Sequence, residues 1–119
     1  MKTILVLISL IAAITVFAQQ STPRPIPRAI SVNFASKGNG IDYVAYQATM
    51  DFISVGMQDE TITKVTSKRW GREGEVTVCF ELQDPITFSE KSQDLKLHIT
   101  ANRDESKLAP VVSVLLKCE

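Results

Sequence analysis

The sequence predicts an α+β domain: one long helix packed on a four-stranded antiparallel sheet, with a short strand first at the amino end. Three observations point there. From Ile41 to Val55 apolar residues recur at helical spacing, and the segments before and after alternate apolar and polar residues at the strand period of two. Short turns rich in Gly, Asn and Asp separate these segments. A helix beside a run of strands gives a sheet covered on one face, and the expected order is β-α-β-β-β-β.

The first strand is Ala29 to Phe34, with Ile30, Val32 and Phe34 on one side and Ser31 and Asn33 on the other. Lys37-Gly38-Asn39-Gly40 breaks it, which places Asn39 to cap the helix and Asp42 in a first turn favoured by the helix dipole. Ile41, Val44, Ala45, Ala48, Phe52 and Val55 form the predicted core face, and Gly56 stands where a carboxyl-terminal cap is expected, with Met57 as its apolar contact. A second apolar face holds Tyr43, Tyr46, Met50, Ile53 and Met57. It requires cover from the amino-terminal segment or from a partner, or else remains an exposed patch.

Thr61 to Trp70 is rich in Thr and Val with imperfect alternation, which predicts an irregular or bulged strand. Gly71-Arg72-Glu73-Gly74 turns the chain, its glycines free to adopt positive φ. In Glu75 to Gln83, Val76, Val78, Phe80 and Leu82 face one way, and Glu75, Thr77, Cys79 and Glu81 the other. Asp84-Pro85 ends that strand, and Ile86 to Asp94 reads equally as strand extension or loop. Leu95, Leu97, Ile99 and Ala101 predict a further strand with Lys96, His98 and Thr100 outward. After the polar turn Asn102 to Ser106, Pro110 to Cys118 supplies the last strand.

Residues 1–18 have the layout of a secretory signal peptide: Lys2, then an apolar run from Ile4 to Phe17, then a small-residue cleavage site at Val16-Phe17-Ala18. The run is short for a membrane span, so no stable membrane anchor is expected after cleavage. Residues 19–28 carry alternating prolines and predict an extended, polyproline-like arm or linker, and 29–119 form one domain. The expected location is secreted or periplasmic.

Cys79 and Cys118 both follow the cleavage site, and two cysteines in a small secreted domain pair as a disulfide. Cys79 sits on the polar face of its strand, while Cys118 shares parity with Val112, Val114 and Leu116. Pairing therefore requires Cys118 on the outer face near the end of its strand, or a twist or bulge near Pro110.

Of thirteen Lys and Arg only Lys2 lies in the leader, leaving twelve cations against thirteen acids. That balance provides no drive toward nucleic acid. No phosphate-cradling glycine loop, zinc-protease motif or nucleophile elbow occurs, and His98 is the only imidazole. Glu75 and Glu81 share a strand face but stand six residues apart, about 20 Å at strand rise, too far to work as a pair. No catalytic residue, cofactor or metal is expected.

The order of elements across Ile41 to Leu82 resembles the cystatins, in which a short first strand leads into one long helix embraced by a four-stranded meander. The resemblance implies that fold and, for cystatin inhibitors of papain-like proteases, contact through three loops. Here Trp70-Gly71-Arg72-Glu73-Gly74 stands for the Gln-x-Val-x-Gly loop, Asn102-Arg103-Asp104-Glu105-Ser106 for the Pro-Trp hairpin, and Pro25-Ile26-Pro27-Arg28 for the amino-terminal Gly. None of the three motifs is reproduced, so the likeness is one of topology.

The exposed cluster that stands out is the first hairpin tip, with Lys68, Arg69, Trp70 and Arg72. Trp and Arg are enriched at binding hot spots, which marks Trp70, Arg72 and Arg69 as partner-binding candidates; alternatively Trp70 folds back over the sheet or stacks on Arg72. The expected function is a small, non-catalytic interaction module with an unidentified protein partner. The alternatives are a small-ligand carrier or minor enzyme with a pocket between helix and sheet, where Tyr43, Tyr46 and His98 are the polar groups, or a protease-inhibitor-like protein.

Overall fold

The computed structural model describes residues 25–119; the signal peptide read at 1–18 and residues 19–24 of the arm lie outside the described residues. The elements are β1 (Ala29–Phe34), α1 (Tyr43–Gln58), β2 (Ile62–Arg69), β3 (Val76–Leu82), α2 (Phe88–Ala101) and β4 (Val111–Leu115), with a 3-10 turn at Pro85–Thr87 before α2. The expected four-stranded antiparallel sheet is present, in the order β2-β3-β1-β4. The element order differs from the expected one: the fifth element is a helix, giving β-α-β-β-α-β.

In this sheet β1 and β2 run parallel with β3 between them, and β3 and β4 run parallel with β1 between them. The chain is thus two interlocked split β-α-β units, the ferredoxin-like arrangement. It departs from the cystatin meander because β3 and β4 are separated by α2 and are not neighbours.

The helix at Phe88–Ala101 corrects the strand read at Leu95 to Ala101. Alternation over seven residues is outweighed by a stripe at i, i+3, i+4 spacing: Ser92, Leu95 and Ile99 are buried, whereas Leu97 is 60 % exposed. The preceding Ser89 to Asp94 contains no β-branched residue and includes Glu, Lys and Gln, all good helix formers. Asp84 starts the turn by accepting from the Ile86 N–H at 3.0 Å, with Pro85 in a first-turn position where a missing N–H costs nothing. Ile86 to Asp94 is therefore neither strand nor loop.

The long helix is found, with three differences in detail. Asp42, not Asn39, is its cap: the Asp42 carboxylate accepts from the Ala45 N–H at 2.9 Å, while the Asn39 side chain donates to the Ser106 carbonyl at 3.3 Å. The buried stripe runs through Ala45, Ala48, Thr49, Ile53 and Gly56, between the two faces read from the sequence, so Val44 and Val55 are exposed. Thr49 tolerates full burial because its hydroxyl donates to the Ala45 carbonyl at 2.8 Å. Gly56 lies inside the helix, which continues to Gln58, and there it lets α1 approach β2: a methyl group on Gly56 would collide with Ile62. In the turn that follows, Thr61 donates from Oγ1 at 2.6 Å and from its N–H at 3.0 Å to Asp59, holding that exposed carboxyl below its ordinary value of 3.8.

Both helices cover one face of the sheet. Ile30, Val32 and Phe34 of β1, Val78, Phe80 and Leu82 of β3, and Leu95 and Ile99 of α2 are buried in a single cluster between helices and sheet. Strand β2 carries the expected irregularity as a register shift between Ile62 and Lys64. Of the second apolar helix face, Ile53 is buried in that core and Tyr46 and Met50 pack against it, whereas Tyr43 and Met57 remain exposed.

Cys79 and Cys118 form the expected disulfide, with Cα atoms 5.8 Å apart. The parity conflict is resolved after the strand and not at Pro110. Strand β4 ends at Leu115, the chain bends at Leu116 and Lys117, and Cys118 thereby reaches the face opposite the helices, where it covers Ala29 and Cys79. The Cys118 N–H also donates to Glu81 at 2.9 Å.

Candidate functional site

The face of the sheet turned away from the helices carries Ser31 and Asn33 of β1, Thr66 and Lys68 of β2, Thr77 and Cys79 of β3, and Leu115 of β4. Strand alternation places hydroxyls and an amide there because the apolar partners of the same strands are committed to the core. With the carboxyl-terminal tail across one end, part of this face forms an open concavity of about 630 Å³ lined by Ser31, Thr66, Lys68, Thr77 and residues 115–117 among others.

At the opposite end of this face the β2–β3 hairpin tip is built from Trp70 to Glu75. The Trp70 N–H donates to the Glu75 carbonyl at 3.0 Å, closing the hairpin. Gly71 has φ +73 and Gly74 φ +86, as the turn reading expects. A side chain on Gly71 would meet the Glu75 carboxylate, which is buried within the turn and accepts from the Glu73 N–H at 2.8 Å. Glu73 in turn ties the tip to the β1–α1 loop, accepting from Ser36 Oγ at 2.8 Å and from the Gly40 N–H at 3.3 Å. The tip is held at both ends.

Trp70 leans back along the sheet, yet it stays 40 % exposed. Its indole Nε1 donates to Thr77 Oγ1 at 3.1 Å, and that hydroxyl donates to Asn33 Oδ1 at 2.7 Å. This chain of two hydrogen bonds runs from the residue just past β2 through β3 to β1 and fixes the ring's orientation. Lys68 pairs with Thr77 in the register and lies on the same face. Arg69 pairs with Val76 and so belongs to the other face of the strand, and Arg72 is exposed in the turn. The structure therefore brings Trp70 and Lys68 together, places Arg72 at the apex, and sets Arg69 across the strand. Among the described residues the ion pairs are Lys64–Glu81 at 3.9 Å and Arg103–Asp42 at 3.7 Å, and none of Lys68, Arg69 or Arg72 takes part.

Thr77 and Asn33 are the site residues that the sequence analysis missed as contributors. Each was placed on the outward side of its strand, but their pairing with each other and with Trp70 depends on the β1–β3 register, which periodicity cannot supply.

Tyr43 and His98 line a shallow groove, but it lies between α1 and α2 on the outer surface; the space between helices and sheet is filled by core side chains. His98 is on α2, half-buried, with its ring centroid 6.3 Å from that of Phe52, and not on an outward strand face. Tyr46 packs edge-on against Phe34 at 5.4 Å between centroids and belongs to the core margin. Among the described residues no three His, Cys, Asp or Glu side chains gather in a way that could hold a metal ion, and no helix is long and apolar enough to cross a membrane. No protein-family model, no curated protein and no solved structure matches the chain.

Proposed function

We propose that this chain is a small, disulfide-locked, non-catalytic binding module that works in the periplasm or outside the cell and engages an acidic protein surface through its β2–β3 hairpin tip. The observation that carries this is Trp70, a half-exposed aromatic ring fixed by the Thr77–Asn33 hydrogen bonds and flanked by cations without an ion-pair partner among the described residues. A pre-oriented ring loses little freedom on binding, and an unpaired Arg or Lys supplies the charge-assisted bonds that carboxylates accept. The disulfide accords with an oxidising compartment. The acidic surface follows from Lys68 on the face of the ring and Arg72 at the apex of the turn.

The test is affinity capture from native extracellular or periplasmic fluid with the oxidised chain as bait, beside a Trp70→Ala, Arg72→Ala version. The captured protein is then titrated against the intrinsic fluorescence of Trp70, the only Trp in the sequence. The expected result is a protein retained by the first bait and lost from the second, whose binding shifts the Trp70 emission of the parent chain and, measured by calorimetry on both chains, weakens at least about tenfold without Trp70, the usual size of a hot-spot loss. Equal recovery on both baits, or binding with unchanged emission, overturns the proposal.

A further inference from the structure

The two edges of the sheet are treated in opposite ways. Edge strand β2 reads Ile-Thr-Lys-Val-Thr-Ser-Lys-Arg and carries three cations and a bulge, both devices that discourage another strand from pairing with it. Edge strand β4 reads Val-Val-Ser-Val-Leu and has no charge, no proline and no register shift against β1. Val111 is 59 % exposed, Val114 and Leu115 about two-fifths, and Leu116 just beyond is 58 % exposed. An apolar, regular edge that nothing among the described residues covers is a template for strand addition.

We infer that the β4 edge is the interface with a second copy of this chain, pairing antiparallel about a two-fold axis at Ser113 to make one continuous eight-stranded sheet. The sequence is nearly symmetric about that residue. Pairing Ser113 with its counterpart sets Val112 opposite Val114 on the helix-covered side and Val111 opposite Leu115 on the open side, so apolar residues meet apolar residues on both faces. A two-fold interface requires this self-complementarity, and β2 would instead set cations beside cations. The apolar area exposed along Leu108 and residues 111–116 is on the order of 400 Å² per copy, which with the paired backbone reaches the lower end of specific interfaces. The expected dimer is therefore of micromolar affinity.

The register supplies its own test. Sedimentation velocity on the oxidised chain across a dilution series is expected to show a monomer–dimer equilibrium with a dissociation constant of about 1–100 μM, the range of weak specific pairs. Val111→Lys alone and Leu115→Glu alone should each weaken the dimer more than about tenfold, because each sets a charge against an apolar side chain across the axis. The double variant Val111→Lys, Leu115→Glu should restore it, since this register alone puts Lys opposite Glu on both sides. Far-UV circular dichroism on each variant separates loss of pairing from loss of folding, and a misfolded Leu115→Glu is replaced by Leu115→Asp. A chain that stays monomeric at the highest concentration, or single variants that dimerise as the parent does, overturns the inference. Single variants that stay apart when combined overturn the Ser113 register, and a monomer whose β4 amides are protected by its own amino-terminal arm overturns the second copy as occupant.

Discussion

Asp42 is 1 % exposed and serves two elements at once. Its carboxylate accepts from the Ala45 N–H as the α1 cap and from the Asp104 N–H at 3.0 Å beyond α2, with Arg103 Nε at 3.7 Å and the Arg103 guanidinium otherwise donating to the Lys107 carbonyl at 3.0 Å. Removing this side chain leaves an orphaned cap donor, an orphaned loop N–H and a half-buried cation. We expect Asp42→Ala to cost about 2–4 kcal/mol, more than a cap alone, because an ion-pair partner is lost with it. Asp42→Asn keeps an oxygen for the cap and should lose about half as much. Urea denaturation of both variants checks this: equal losses would mean that the charge, and not the cap, carries the effect, and an unchanged Asp42→Asn protein would mean that only the cap matters. At this scale the sequence is informative where chemistry is local: the cysteine pair, and a lone Trp next to a glycine turn, are visible in it. Asp42 was read as a first-turn acid, one step from its role, because Arg103 lies 61 residues away in the chain and is brought near only by the packing of α2.

Helix α1 illustrates how an element can be identified correctly and rolled wrongly. Its core stripe passes through Thr49 and Gly56, two residues that a hydrophobicity count discards, and the roll by which Val44 and Val55 reach solvent follows from them. Gly56 is there for contact with β2. Gly56→Ala should gain about 1 kcal/mol of helix propensity and lose about 1–3 kcal/mol by collision with buried Ile62, for a net loss of up to about 2 kcal/mol. The double variant Gly56→Ala, Ile62→Val should recover part of that loss in thermal unfolding; a Gly56→Ala protein more stable than its parent would show that the close approach is unimportant. Helix α2 was misread because Leu95, Leu97, Ile99 and Ala101 alternate by coincidence within a helical stripe. The wider window from Phe88 contained the correct period. What the window could not show is that a strand there could not have joined β3 as the next strand of a meander, since β3 already pairs with both β1 and β2.

For the molecule as a whole, the weak point is the attachment of β4. It joins the sheet only through β1, on an edge, and only after α2 has crossed over from β3. The Cys79–Cys118 bond links β3 to the chain just past β4, stapling the edge strand across β1 and closing a loop with a sequence separation of 39. In the chain-entropy account such a loop is worth about 4 kcal/mol, a large share of the roughly 5–15 kcal/mol of a domain this size. Cys79→Ser, Cys118→Ser should therefore lower the urea midpoint by about 2 M. The loss should also have a place. Hydrogen exchange in the variant is expected to accelerate first at the β4 amides that bond to β1, those of Ser113 and Leu115, while β3, paired on both sides, keeps its protection. If protection instead falls evenly through all four strands, the bond acts through the unfolded chain alone. A selective loss at β4 means that the native sheet is weakest at its unprotected edge, and it would weaken the β4-mediated dimer together with the fold.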